Sequence, residues 1–280
     1  MKFSDIIGHK KEIKSLREIV DSGNIPHALL FCGKQGIGKV RVARAFSQYV
    51  HCRNRINGEP CGVCPSCVQE NLFNNPDTHY VYPVVKKDGV LVSQDILETW
   101  REMNQNYSYM PKEIWNSLIK AGNSQPAIFV SESDDIISKS SLSNYQENYK
   151  IFIIWQPEKM RVEAANKLLK IIEEPFEDTI FILVSNEPEK ILPTIFSRTQ
   201  RINFKPLSQS EIAENIKKDY QEGILLIYDE KFQQYISPLG RIFRKIYPIM
   251  SFFNKPLDLF IRYWHLLCFK NYNYKNKNEP

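Results

Sequence analysis

Two groups of residues in this sequence have types and spacings that could do chemistry. The first is GKQGIGKV, Gly33–Val40, in which seven of eight positions fit the pattern G-x-x-x-x-G-K-[ST]. In such a loop the backbone N–H groups cradle phosphates, the lysine pairs with their charge, and the closing hydroxyl ligates Mg²⁺. Gly33, Gly36, Gly38 and Lys39 are therefore candidate nucleotide-binding residues. Val40 stands where the hydroxyl belongs, and an alkyl group offers a hard cation no oxygen. A working ATPase, a former ATPase and a chance match are all open at this point.

The second group is HCRNRINGEPCGVCPSC, which spaces Cys52, Cys61, Cys64 and Cys67 as C-x8-C-x2-C-x2-C. Two C-x2-C turns let consecutive thiolates face one ion, and Gly58, Pro60, Gly62 and Pro65 supply tight turns. The pattern suits a tetrahedral structural Zn²⁺ site with no open position for catalysis. Redox use of CGVC or CPSC is the competing reading, and it leaves two cysteines idle. His51 could compete as a ligand, but four cysteines already suffice. Cys32 and Cys268 read as ordinary buried thiols.

The elements around the glycine loop stand in the order a phosphate site needs. Ile13, Leu16, Ile19 and Val20 recur at helical spacing over roughly 10–21. ALLFC (Ala28–Cys32) reads as a buried strand, and VRVARAFSQYV after the loop reads as a helix. YVYPVV (Tyr80–Val85) looks like a strand, and residues 93–123 look helical without an evident role. IFIIW (Ile151–Trp155) is a buried strand, VEAANKLLKIIEE a helix stopped by Pro175, and IFILVS (Ile180–Ser185) another buried strand. A short helix near SRT precedes RINF, read as a fourth core strand, and Ser208 with Glu211 forms a capping box. Buried strands alternating with helices predict an α/β domain with a mostly parallel sheet.

A magnesium site of this kind also draws carboxylates from the end of a neighbouring buried strand. Here KIFIIW ends on Trp155 and Gln156, neither of which ligates Mg²⁺ well or serves as a base. Two independent substitutions against the same chemistry argue against hydrolysis.

Bulk composition sets wider bounds. The chain has 280 residues, 42% hydrophobic and 25% charged, which fits an ordinary globular protein. Six cysteines clustered as these are point to a metal and not to a disulfide framework. A net charge of +5 is only mildly basic. No apolar run is long enough to span a membrane and the N-terminus is too charged for a signal peptide, so a cytoplasmic location is expected.

Taken together, FSDIIGHKKEIKSL, IPHALLFCGKQGIGK, the four-cysteine module, EKMRVEAANKLLKIIEEP and ILVSNEPEKILPTIFSRTQRINF closely resemble the AAA+ subunits of the bacterial DNA polymerase III clamp loader. The resemblance covers roughly residues 3–83 and 132–220. Within that family, the missing hydroxyl and acidic pair look like the delta-prime type, which does not hydrolyse ATP; the gamma/tau type would keep both. The resemblance implies an AAA+ P-loop domain over 1–205 with a zinc module at about 50–70, a helical lid over 206–245, and a C-terminal collar. It implies structural zinc and doubtful ATP binding. The implied partners are gamma/tau and delta type subunits in a hetero-oligomeric ring, the sliding clamp, and primed DNA reached through the complex, at the replisome. It also gives Ser197–Thr199 a role: the family's Ser-Arg-Cys motif points its arginine into a neighbour's ATP site, which makes Arg198 a catalytic residue in trans. Asn186 lies near the family's sensor position, and Glu173, Glu174 and Pro175 match its EEP.

Residues 246–280 read as a collar remnant or a divergent tail. Between Arg241 and Pro280 there are eight Lys/Arg, two acids and ten aromatics, which fits either a nucleic-acid surface or helical packing with a frayed end. A truncation or frame shift near 220–240 would account for the missing collar pattern.

Overall fold

The computed structural model describes residues 1–106, 112–145, 149–208 and 210–212. They belong to a compact unit, Met1–Leu225; a second unit, Leu226–Pro280, falls outside the described residues, as do nearly all of the expected lid, the C-terminal tail and Cys268.

In chain order the elements are α1 (Lys10–Asp21), β1 (Ala28–Cys32), α2 (Lys39–His51), α3 (Pro65–Asn71), β2 (Thr78–Val81), α4 (Leu97–Asn106), α5 (Lys112–Leu118), α6 (Val130–Ser140), β3 (Lys150–Trp155), α7 (Val162–Glu173), β4 (Thr179–Ser185), α8 (Pro193–Phe196) and β5 (Gln200–Asn203). The strands form one five-stranded sheet in the order β2-β3-β4-β1-β5, with every pairing parallel. Every residue of β1, β3 and β4 is buried, because helices cover both faces; that is why these strands read as unbroken apolar runs.

The period-two alternation sorts the core into two layers. Leu29, Phe31, Ile151, Ile153, Ile180 and Ile182 face α1, α2, α4 and α5. Leu30, Phe152, Ile154, Phe181 and Leu183 face α6, α7 and α8.

Two expected strands differ from the structure. RINF is not a core strand: β5 pairs only with β1 at the sheet edge, and of its residues only Ile202 is buried. YVYPVV stops pairing early, since β2 ends at Val81 and Pro83 has no N–H to donate to a ladder; Val84 instead makes a lone antiparallel bridge with Ala127. The helix α6 was not legible, because VSESDDIISKS is mostly polar; it is held on α7, where Ser133 Oγ donates to Ala164 O at 2.9 Å. The capping box is present, with Ser208 N donating to Glu211 Oε2 at 2.8 Å and Glu211 N to Ser208 Oγ at 3.3 Å.

Candidate functional site

The glycine loop leaves the carboxyl end of β1, the place where open parallel sheets bind ligands. Gly33 is required by close approach: a Cβ there would stand 2.6 Å from Phe204 O. Gly36 and Gly38 turn the chain into α2 with φ of 78° and 92°, conformations that favour glycine. Lys39 follows and is buried. Its ammonium donates to Gly33 O at 2.8 Å, Lys34 O at 2.5 Å and Asn186 Oδ1 at 2.9 Å, which uses all three of its protons within the chain. Burial holds its pKa down to about 8, with the nearby Glu158 carboxylate pulling the other way.

Glu158 is a residue the sequence reading passed over. It sits past the end of β3, accepting from Ser185 Oγ at 2.8 Å and from Asn186 N–H at 3.1 Å. A chain of polar contacts thus runs from Glu158 through Asn186 to Lys39. The available signal was an acid two residues beyond the expected acidic pair. His9 was also missed: its Nε2–H donates to Ile37 O inside the loop at 2.6 Å, and its ring meets Phe204 edge-on at 5.1 Å.

Val40 and Trp155 belong to one apolar cluster. Trp155 lies 5.5 Å from Trp100 and 6.2 Å from Trp115, ring centre to ring centre, and Trp100 stacks on Tyr82 at 4.4 Å. The stretch with no evident role therefore supplies packing: α4 brings Trp100 and α5 brings Trp115, whose Nε1 donates to Pro83 O at 2.7 Å. Helix α5 also reaches the loop itself, where Gln35 Nε2 donates to Glu113 Oε2 at 3.2 Å. Gln156 is buried in a left-handed conformation (φ 55°), and its side-chain nitrogen has no hydrogen-bond partner among the described residues.

The four cysteines converge. The sulfurs of Cys52, Cys61, Cys64 and Cys67 all lie within 4.8 Å of one another, a cluster that could hold a metal ion. Zn–S bonds of about 2.3 Å put the sulfurs of a tetrahedron about 3.8 Å apart, and Cys61 Sγ lies 3.9 Å from Cys67 Sγ. Backbone N–H groups already point at the thiols: Cys61 N donates to Cys52 Sγ at 3.2 Å and Cys64 N to Cys61 Sγ at 3.3 Å. Such bonds favour the thiolate, and those from Val63 and Cys64 bring Cys61 down to about 6, whereas burial pushes Cys67 up. The donor set fits a tetrahedral thiolate-bound ion. His51 is not part of it; its Nε2 lies 3.2 Å from Thr78 Oγ1 and 3.7 Å from Glu70 Oε1.

Arg198 follows α8 and borders an open cleft with His27, Glu173, Glu174 and Ser197. Its guanidinium pairs with Glu173, and Nη1 donates to Thr194 O at 2.8 Å. The three predicted site groups are thus separate places: the loop at the end of β1, the cysteine cluster between α2 and α3, and Arg198 beside the C-terminus of α7.

Comparison with known proteins places this architecture. Residues 8–208 match the protein family described as "DNA polymerase III, delta subunit". The chain is 31% identical over 205 residues to DNA polymerase III subunit gamma/tau of Mycobacterium tuberculosis (strain ATCC 25618 / H37Rv), covering 73% of this chain and 29% of that protein. It is 28% identical over 204 residues to DNA polymerase III subunit delta' of Bacillus subtilis (strain 168), covering 73% of this chain and 50% of that one. With the tau subunit of the same Bacillus strain it shares 29% identity over 217 residues, 78% of this chain and 31% of the relative. The matched region therefore spans half or less of each of these relatives. No helix among the described residues is long and apolar enough to cross a membrane. The chain belongs to the DNA polymerase III delta-subunit family, among the clamp-loader subunits of that polymerase.

Proposed function

We propose that this chain is a non-hydrolysing AAA+ subunit of the DNA polymerase III clamp loader. It helps place the sliding clamp on primed DNA and lends Arg198 to a neighbouring subunit's ATP site. The observation that carries the non-hydrolysing part is the shared burial of Val40 and Trp155 in one apolar cluster. Where a hydroxyl and a carboxylate would hold Mg²⁺, this chain packs an isopropyl group and an indole, and neither gives a hard cation a ligand. Lys39 is spent on Gly33, Lys34 and Asn186, so the loop holds its shape without a phosphate.

In this reading Cys52, Cys61, Cys64 and Cys67 hold a structural Zn²⁺ that ties the end of α2 to the start of α3. When bound, the ion contributes folding energy and no catalytic water, since four thiolates fill its coordination. The subunit works in the cytoplasm, in a ring with gamma/tau and delta type partners. Arg198 acts there as a trans arginine, a contribution worth about 10³–10⁵-fold in related NTPases.

A gamma/tau-like active ATPase is the second reading. It is favoured by Glu158, a carboxylate close enough to act on Lys39, and by the 31% identity to a gamma/tau subunit. Reconstitution with a P-loop-intact paralogue separates the roles. Arg198→Ala should leave assembly intact and lower ATP turnover of the complex; unchanged turnover in an assembled complex would remove the arginine from the mechanism.

A further inference from the structure

Glu173 is the last residue of α7, and Glu174 follows it as the C-cap. A helix C-terminus carries partial negative charge, so two acids there are unfavourably placed unless a cation sits beside them. Arg198 is that cation. Its Nε and Nη2 both face Glu173 Oε1, while Nη1 donates to Thr194 O at 2.8 Å. The Nε/Nη2 edge of a guanidinium is one of those that bind two anion oxygens side by side. In the free chain that edge is occupied by the chain's own carboxylate.

We propose that Glu173 is a latch on Arg198, which holds the guanidinium against α7 until a neighbour's phosphate displaces the carboxylate. The inference rests on the reading of Arg198 as a trans arginine. One edge of one guanidinium serves either Glu173 or a phosphate, so the two pairings exclude each other. The latch is built to open. The side chains of Arg198 and Glu173 remain 35% and 43% exposed, and ion pairs so exposed are weak and screened by salt. A phosphate carrying more charge outcompetes a single carboxylate. Until it arrives, the fraction of chains with a free arginine is lowered, and with it the apparent efficiency of the trans contact. Glu173 is in this sense a positioning residue for the resting state, and its effect is restraining.

The test uses the full-length chain in a complex reconstituted with P-loop-intact partner subunits. Glu173→Gln keeps the shape of the side chain and removes its charge, and it should raise ATP turnover by about 2- to 5-fold at low salt. The ratio of variant to wild type should fall toward one as ionic strength rises, a dependence that a packing defect would not produce. Glu174→Gln removes a charge from the same cleft without breaking the Arg198–Glu173 pair, and it should raise turnover less than Glu173→Gln does. If Arg198→Ala lowers turnover but Glu173→Gln leaves it unchanged or lowers it, the latch is overturned and the trans arginine stands. Equal gains from Glu173→Gln and Glu174→Gln also overturn the latch, since bulk charge would explain them. If Arg198→Ala has no effect in an assembled complex, the underlying reading fails and the latch with it.

Discussion

Truncating Trp155 is the perturbation that tests how far the end of β3 serves packing. Trp155 is 2% exposed and packs against both Trp100 and Trp115 in the cluster that also contains Val40. Replacing a buried tryptophan by alanine costs about 3–5 kcal/mol through lost burial and the cavity left behind. The two ring contacts account for part of this, at about 0.5–1.5 kcal/mol each. Natural domains are stable by about 5–15 kcal/mol, so Trp155→Ala removes a large fraction of the total. At about 2–4 °C per kcal/mol for a domain of this size, the melting temperature should drop by about 10 °C. Trp155→Phe keeps an aromatic ring in place and should cost less, whereas Trp155→Asp should cost more than alanine, because it puts a carboxylate into an apolar cluster. Thermal melts followed by near-ultraviolet circular dichroism measure all three. A loss below about 1 kcal/mol for Trp155→Ala would refute the reasoning, because a position that carries the core does not tolerate that cavity.

The cysteine cluster should bind about one zinc ion per chain by elemental analysis, and Cys61→Ser should lose the metal and lower the melting temperature, since structural zinc contributes folding energy directly. Full zinc occupancy in Cys61→Ser would count against the four-thiolate assignment. Glu132 gives a pH prediction. Burial raises its carboxyl to about 7, opposed by the Ser93 backbone N–H at 2.6 Å, against an ordinary value of 4.5. The unfolded chain therefore releases this proton first as pH rises, and Glu132 removes stability between about pH 4.5 and 7, by up to about 3 kcal/mol. Glu132→Gln should abolish that part of the slope in urea unfolding measured from pH 4 to 8, and an unchanged slope would show that another group carries it.

Much of the sheet could be read from residues because burial on both faces leaves a plain trace. ALLFC, IFIIW and IFILV are unbroken apolar runs, and these lie in the central strands. Pattern failed where burial was one-sided. QRIN is an edge strand whose one buried side chain, Ile202, does not distinguish it from a loop, and α6 shows the core little beyond Ile136. The cysteine cluster was legible from spacing alone, because two-residue gaps restrict where the sulfurs can go. The polar relay at the glycine loop was not. Glu158 and Asn186 lie 28 residues apart in sequence and meet only because β3 and β4 end side by side. The pairing of Arg198 with Glu173 was hidden for the same reason, being a contact across 25 residues between the turn after α8 and the end of α7. The tryptophans of α4 and α5 looked unassigned because their purpose is to fill the space beside Trp155, and nothing local to ILETWREMNQN signals that target.

Steady-state ATP turnover by the purified full-length chain alone, with and without Mg²⁺, tests the central claim most directly. On the proposed non-hydrolysing reading, with Val40 and Trp155 buried in one apolar cluster, the chain should show no Mg²⁺-dependent turnover, and Lys39→Ala should match wild type. Mg²⁺-dependent turnover that Lys39→Ala abolishes would contradict the account and make this chain an active ATPase of its family.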